Sequence, residues 1–171
     1  MTIKKTIEKL PALNMLTYKN SFVSGDSQND IKIHYYFNRE NGRFYAKVYF
    51  TPKTQGPPQH VHGGAISAVL DETMGGAAWI NGYTVVTARL CVNFIIPIKL
   101  DTELFIETWL EKIERKNVFM KSRMIGENNS TYSEANGVFR ILPLPILKKM
   151  GNLPDDYFDK IESELQIKFK T

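Results

Sequence analysis

Two adjacent carboxylates lie in the middle of a stretch of small and apolar residues. Asp71 and Glu72 stand between Gly63 and Ile80, where apolar residues recur every three to four positions, as they do along a helix. A helix that is apolar almost all round is buried, and burial raises the pKa of a carboxyl group. A carboxylate of raised pKa suits a general base or a nucleophile near neutral pH. The alternatives are an inert, hydrogen-bonded acid for Asp71 and a solvated or ion-paired side chain for Glu72.

The turn before this helix supplies complementary chemistry. His60 and His62 are followed by Gly63 and Gly64, and the backbone N–H groups at the start of a helix stabilise negative charge, including an oxyanion. His62 either takes part in the chemistry or caps the turn. Two histidines this close together could also bind a metal ion. No Cys/His cluster accompanies them, so we predict no metal site.

The strand expected after the helix carries a second set of polar residues. With a period of two, its even positions are nearly all apolar, and Thr87, Arg89 and Asn93 fall together on the opposite face. Thr87 can be explained as a strand-forming residue alone. Cys91 is expected to be a small core residue, because no motif prepares a thiolate there.

The remaining elements must position these residues. Alternation of apolar and polar residues predicts about six strands, and the short turns between them predict an antiparallel sheet, so the fold class is α+β. Pro143 and Pro145 end the sheet. The predicted strands cover 31–37, 43–50, 84–96, 103–113, 117–125 and 131–142, and short helices are predicted within 2–16, broken near Pro11, and 155–169.

Length and composition are those of an ordinary globular domain. Of the 171 residues, 43% are hydrophobic and 23% charged, so we predict one domain over 1–171 with a core at 30–143 and terminal extensions at 1–29 and 144–171. The formal charge of +4 is too small to predict a nucleic-acid partner. A single cysteine, no long apolar run and no targeting pattern predict a cytoplasmic protein without a membrane span.

Four short motifs carry a resemblance to a known family. They are His62-Gly63-Gly64-Ala65, Leu70-Asp71-Glu72-Thr73-Met74-Gly75, Thr87-Ala88-Arg89-Leu90 and Phe94-Ile95-Ile96-Pro97. Over about residues 45–143 the sequence resembles the hotdog-fold acyl-CoA thioesterases of the PaaI-like group, in particular its thioesterase-superfamily-member branch. The resemblance implies a long central helix wrapped by an antiparallel sheet. It also implies hydrolysis of acyl-CoA to a free acid and coenzyme A, with no cofactor other than the coenzyme A of the substrate.

The resemblance implies a role for each matching catalytic residue. Asp71 would be the nucleophile or the general base, and Thr87 would position the water or the carboxylate. His62 would orient or polarise the thioester, and the Gly63 N–H would stabilise the oxyanion.

The resemblance also implies how substrate is bound. Gly64, Asn93, Arg115 and Lys116 would bind the substrate, the last three through its coenzyme A portion, although Arg115 and Lys116 can equally be read as a solvated turn. Sites in this family form between subunits. A homo-oligomer, either a dimer or a dimer of dimers, is therefore implied, with Asp71 of one chain facing the glycine turn of its partner.

The sequence departs from the family at two positions, and other functions fit the same fold. Gly56 stands where many bacterial members have an asparagine, which favours a mechanism through Asp71 and Thr87. Ile95 stands where a lysine is expected, which removes one phosphate contact. The main alternative function is a non-catalytic acyl-CoA-binding or sensing protein, and a third is a hotdog dehydratase. Acyl chain length and the choice between dimer and tetramer do not follow from the sequence.

Overall fold

One long helix packs against an antiparallel sheet. The computed structural model describes residues 2–13, 21–24 and 30–170, and within these residues the sheet has seven strands. The strands are β1 Ala12–Leu13, β2 Ile31–Asn38, β3 Arg43–Phe50, β4 Val85–Phe94, β5 Glu103–Glu114, β6 Asn117–Ile125 and β7 Thr131–Ile141. The helices are α1 Ile3–Ile7, α2 Gly63–Ile80, α3 Leu144–Gly151 and α4 Tyr157–Leu165, with a 3-10 turn at Pro52–Thr54.

The strand that follows α2 lies at one edge of the sheet. The strand order is β1-β2-β3-β5-β6-β7-β4, so the chain leaves α2, forms the edge strand β4 and then returns to the middle of the sheet. β4 pairs only with β7 among the described strands. Its other side therefore offers backbone N–H and C=O groups that no described strand satisfies, which is a property of edge strands.

The core lies between α2 and the sheet. α2 contacts five strands, β3 to β7, and its Leu70 and Met74 are fully buried. Burying each of these side chains stabilises the fold by about 1.5–3 kcal/mol. A glycine in β7 allows the close approach, because a Cβ at Gly137 would lie 3.1 Å from the Met74 sulfur and 2.4 Å from the Phe139 ring.

The segment after the sheet is held by α4. This helix buries Phe158, Ile161 and Leu165, and Phe169 joins them. The ring of Trp79 on α2 stacks on Phe158 at a centroid distance of 6.2 Å. By contrast, α3 buries none of its own residues. The C-terminal segment is therefore anchored at its end, while α3 spans the surface between the sheet and α4.

The six predicted strands are confirmed with ends within two residues of the observed ones. The first predicted helix is shorter than expected, five residues that end before Pro11, and residues 14–16 of that prediction lie outside the described part of the chain. Two elements were not predicted, β1 and α3. Pro143 and Pro145 do end the sheet, but a proline in the first turn also favours a helix, and α3 begins between them.

None of the helices formed by the described residues has the length and apolar character needed to cross a membrane.

Candidate active site

Asp71 lies on the side of α2 that faces the edge strand. The Thr87 hydroxyl donates a hydrogen bond to Asp71 Oδ1 at 2.9 Å. Partial burial raises the pKa of Asp71, and the bond from Thr87 offsets part of that rise because it favours the charged form. No cation of the described residues forms an ion pair with this carboxylate. The result is an oriented carboxylate, more basic than one in water, with an accessible edge.

A β-bulge brings Thr87 to Asp71, and the predicted arrangement of faces in β4 is wrong. Thr87 and Arg89 pair with consecutive residues of β7, so Ala88 is left without a partner in the ladder. This extra residue reverses the alternation of the strand. Thr87 consequently points toward the helix, whereas Arg89 and Asn93 lie on the outer side and are exposed.

The outer side of β4 contains residues that we expected in the core. Val86 falls on the predicted apolar face but precedes the bulge, and it is exposed. Cys91 was predicted to be a core residue and is also exposed, because it follows the bulge on the outer side. Leu90 and Val92 do pack against the core, as predicted. Odd-numbered residues therefore point to the inner side before the bulge, and even-numbered residues point to the inner side after it.

His62 caps the N-terminus of α2. Its Nδ1 accepts a hydrogen bond from the Gly64 N–H at 2.8 Å, and its carbonyl accepts those of Ala65 and Ile66. In the neutral ring the proton is then on Nε2. The Gly63 N–H donates to no atom of the described residues. It is therefore the donor left over at the positive end of the helix, where an anion is stabilised.

The turn is held in place by the loop before it. The His62 N–H donates to the Thr54 carbonyl at 2.8 Å, and the Val61 N–H donates to the Ile98 carbonyl at 2.9 Å. Gly56 packs directly on this turn, since a Cβ there would lie 2.8 Å from the His62 Cα. A side chain at this position would displace the turn. The backbone around position 56 therefore leaves no room for the asparagine that many family members carry there.

Glu72 belongs to a polar group separate from that of Asp71. Instead of an ion pair, it accepts a hydrogen bond from the Ser24 hydroxyl at 2.9 Å, and no cation of the described residues pairs with it. The Tyr35 hydroxyl is buried near it and has no hydrogen-bond partner among the described residues. Burial, followed by the charge of Glu72, raises the pKa of Tyr35.

The two histidines do not converge on a metal site. His60 places its Nδ1 2.9 Å from the Pro58 carbonyl, and His62 is engaged as a cap. The described residues contain no group of three or more His, Cys, Asp or Glu side chains arranged to hold a metal ion.

A single chain does not bring the glycine turn to the carboxylate. Gly63 and Asp71 are eight residues apart on α2, which is about 12 Å along the helix axis. Gly63 lies instead beside Phe94, since a Cβ on it would be 3.4 Å from that ring, at the opposite end of β4 from Thr87. One thioester group could not touch both sites within one chain.

The residues expected to bind coenzyme A are also separated. Arg115 and Lys116 are exposed in the turn between β5 and β6, and the Lys116 carbonyl accepts a hydrogen bond from the Ile141 N–H at the end of β7. Asn93 pairs with Glu134, seven residues earlier on β7. At the rise of a strand this separation is about 23 Å. Asn93 and the Arg115–Lys116 turn therefore lie at opposite ends of the sheet.

A cavity of about 740 Å³ opens beside Asp71 and Thr87. Its walls come from α2, from the start of β4 and from the C-terminal segment. Apolar side chains that line it include Trp79, Val85, Phe139, Leu147, Met150 and Ile161. Our sequence analysis missed this cavity because one wall is α3. The pair of prolines at the start of α3, followed by apolar residues three positions apart, is the signal that could have found it.

Comparison with known sequences identifies a related family. Residues 58–132 match the family model described as the thioesterase superfamily. Among curated proteins, acyl-coenzyme A thioesterase THEM4 of Xenopus laevis is 31% identical over 71% of this chain and 56% of its own length. THEM4 of Bos taurus is 35% identical over 52% of this chain and 36% of its own length. THEM5 of Homo sapiens is 32% identical over 53% of this chain and 37% of its own length. The chain thus spans just over half of the first relative and about a third of the other two.

Comparison with solved structures confirms the predicted hotdog fold. The structure of smu.793 from Streptococcus mutans, bound to acetyl CoA, has a TM-score of 0.61 at 16% identity and covers 76% of this chain and 95% of its own. A hypothetical thioesterase from Streptococcus pneumoniae TIGR4 with coenzyme A has a TM-score of 0.58 at 17% identity and covers 63% and 85%. The PaaI protein of E. coli has a TM-score of 0.59 at 15% identity and covers 66% and 80%.

Proposed function

Because residues 58–132 belong to the thioesterase superfamily and the chain has the hotdog fold, we propose that this protein hydrolyses the thioester of acyl-CoA to a free acid and coenzyme A. The observation that carries the proposal is the hydrogen bond from Thr87 to the half-buried carboxylate of Asp71. It holds a base of raised pKa at the mouth of an apolar cavity. The curated relatives named acyl-CoA thioesterases, and the structures of this fold that hold coenzyme A or acetyl CoA, support the substrate class.

The proposed chemistry needs a base and an oxyanion donor. Asp71, oriented by Thr87, takes a proton from water as the water oxygen attacks the thioester carbon. The carbonyl oxygen becomes negatively charged and accepts a hydrogen bond from the Gly63 N–H. Collapse of the tetrahedral intermediate breaks the C–S bond, and the coenzyme A thiolate takes up the proton. In the alternative route Asp71 attacks the carbon itself, and the C–S bond breaks to release the coenzyme A thiolate. Water then hydrolyses the mixed anhydride to the free acid and regenerates the Asp71 carboxylate.

In this proposal the oxyanion donor belongs to a second copy of the chain. β4 is an edge strand, and apolar side chains are exposed along it and just beyond it, namely Val86, Phe94, Ile95 and Ile96. An exposed apolar edge favours pairing with another strand. Antiparallel pairing of two β4 strands about a two-fold axis between Leu90 and Cys91 would set Thr87 of one copy beside Phe94 of the other. Asp71 would then face the Gly63 turn of the partner subunit.

The same pairing would assemble the coenzyme A site. The Arg115–Lys116 turn lies next to the start of β4, and Asn93 lies at its end. Since antiparallel pairing sets the start of one β4 beside the end of the other, Asn93 would meet the Arg115–Lys116 turn of the partner subunit. Two cations and an amide suit the phosphates of coenzyme A. The homo-oligomer, the roles of these residues and the cytoplasmic location stay predictions.

The proposed function is tested by coenzyme A release from acyl-CoAs of different chain length. We expect Asp71→Asn to lower kcat/KM by about 10²–10⁴, the usual contribution of a general base. The matched control is Asp101→Asn, which removes another aspartate that accepts one hydroxyl hydrogen bond, from Tyr49 at 2.7 Å, and that does not line the cavity beside Asp71. It should keep the wild-type rate. Tight acyl-CoA binding without release of coenzyme A by the wild type would contradict the proposal and favour the non-catalytic binding alternative.

A further inference from the structure

We propose that the C-terminal segment, residues 144–165, forms one wall of a pocket for the acyl chain, so that the substrate is an acyl-CoA with a long apolar chain. This inference rests on the proposed function. It adds the substrate class and the residues that limit the length of the bound acyl chain. The segment lies beyond residues 58–132, the part that matches the thioesterase superfamily. The wall is therefore a feature of this chain outside the matched domain.

The position of the cavity relative to the candidate base is the first argument. Asp71 and Thr87 line the cavity directly. A thioester carbon within reach of Asp71 therefore has its acyl chain at the mouth of the cavity, while its sulfur side leads away. Because the cavity is continuous with the candidate site, its expected occupant is the acyl group of the substrate.

The chemistry of the lining is the second argument. Apart from Asp71 and Glu72, the described side chains around the cavity are uncharged, and none is a lysine or an arginine. Two carboxylates and no cation disfavour the phosphates of coenzyme A, because an anion would be desolvated next to like charges. An aliphatic chain has no such cost, and it gains from contact with the apolar lining.

A missing side chain on α2 is the third argument. Gly75 lines the cavity, and a Cβ built on it would meet the Phe139 ring at 3.8 Å, an ordinary contact distance. Packing within the chain therefore does not require glycine here. Glycine in the middle of a helix costs about 0.5–1 kcal/mol relative to alanine. The absent side chain leaves room on the cavity side of α2, as a bound chain would need.

The difference between α3 and α4 is the fourth argument. α4 is anchored in the core through Phe158 and Leu165, and the Leu165 carbonyl accepts a hydrogen bond from Arg39 at 2.8 Å. α3 has no fully buried residue, although its Leu147 is half-buried against the residues of α4. Leu147 and Met150 also line the cavity, and Met150 is 68% exposed. An acyl chain in the cavity would complete the packing of α3. Methionine suits such a wall, since its flexible side chain adapts to different shapes.

The size of the cavity sets the range of chains. Its volume of about 740 Å³ lies within the range of pockets that hold drug-sized ligands. A pocket of this size has room for a long acyl chain. Since each buried methylene contributes about fourfold in affinity, kcat/KM should rise steeply with chain length until the pocket is filled.

The experiment measures kcat/KM for acetyl- to palmitoyl-CoA in the wild type, in Leu147→Trp and in the control Ile146→Trp. Ile146 is the neighbouring residue on α3, is 47% exposed and does not line the cavity. A tryptophan at 147 fills the space of two or more methylenes. We expect it to lower kcat/KM for decanoyl-CoA by about tenfold or more and to leave acetyl-CoA within about twofold. The control should keep the wild-type profile.

Two results would overturn the inference. One is an unchanged chain-length profile in Leu147→Trp. The other is an equal loss at every chain length in a folded protein, as judged by circular dichroism. Met150→Trp provides a second variant should Leu147→Trp fail to fold, because its exposed position tolerates a larger side chain.

Failure of the proposed function gives a different result. If the wild type hydrolyses no acyl-CoA, that function is wrong, and binding of decanol, an uncharged ten-carbon chain, by isothermal titration calorimetry then tests the pocket alone. Binding that Leu147→Trp weakens by about tenfold and Ile146→Trp leaves unchanged would support the apolar-chain pocket. No binding, or equal binding to all three proteins, would overturn it.

Discussion

Asp71 owes its proton affinity to two opposing effects of its surroundings. Partial burial disfavours the carboxylate, and the hydrogen bond from Thr87 favours it. The bond also fixes which carboxylate oxygen is occupied, because Thr87 contacts Oδ1 only. Because the carboxylate is already held in position, its side chain loses little conformational entropy when it accepts the proton. At the residue scale, the site is therefore tuned by a single hydroxyl.

Removal of that hydroxyl should change the pH dependence of hydrolysis. Thr87→Val has nearly the same shape but cannot donate, so the pKa of Asp71 rises further. Because the base acts in its charged form, the acidic limb of the kcat/KM profile should move to higher pH. Thr87→Ser keeps the hydroxyl and should keep the profile. An unchanged limb in Thr87→Val would show that Asp71 does not set it.

Sequence reasoning paired Asp71 with Thr87 but misplaced the residues around them. The pairing was implied by the family resemblance, whose motifs include both residues. The facing of β4 was wrong because strict alternation assumes a regular ladder, whereas Ala88 is inserted opposite β7. A bulge depends on the partner strand as well as on local residues. Nothing in the local pattern of this strand distinguishes it from a regular one.

At the scale of elements, the N-terminus of α2 combines two functions. The His62 side chain caps the Gly64 N–H, and the Gly63 N–H is left for an anion. Helices and strands were predicted well because their periodicities are local, as for α2 and β6. α3 was missed because the two prolines around Leu144 were read only as the end of a sheet.

The capping function of His62 can be separated from a chemical one. We expect His62→Ala to lower the free energy of unfolding by about 1 kcal/mol and His62→Asn to lower it by less, since asparagine is a good N-cap. Denaturant unfolding with both variants measures this. A wild-type kcat in His62→Asn would assign the residue to capping alone, whereas equal stability of all three proteins would contradict the cap.

At the scale of the whole molecule, the chain carries half of the proposed site at each end of one strand. Asp71 and Thr87 lie at the start of β4, and Gly63 and Phe94 lie at its end. The sequence could indicate which residues are involved through family resemblance. The helix predicted between Gly63 and Ile80 already separates Gly63 from Asp71 by about 12 Å, and the structure adds that the two lie at opposite ends of β4. This separation is the reason that the proposed site takes its oxyanion donor from a second copy.

A charge on the exposed edge should therefore impair assembly and hydrolysis together. Ile96→Lys places a cation in the proposed contact between two copies, and we expect sedimentation velocity to show a shift to monomer with a parallel loss of kcat/KM. The control is Ile113→Lys on β5, which is 40% exposed and three strands away from β4. It should assemble and hydrolyse as the wild type does. A wild type that is fully active as a monomer would refute the shared site.

The bulge at Ala88 also bears on how this chain tolerates insertions and deletions. Loss of that one residue would leave all the candidate functional side chains present in the sequence. The strand would nevertheless have to turn either Thr87 away from Asp71 or Leu90 and Val92 out of the core, since a strand alternates strictly. A gapped alignment would score such a variant as intact, although the residues on one side of the deletion would point to the wrong face of the sheet. In this strand the number of residues is as much under constraint as their identity.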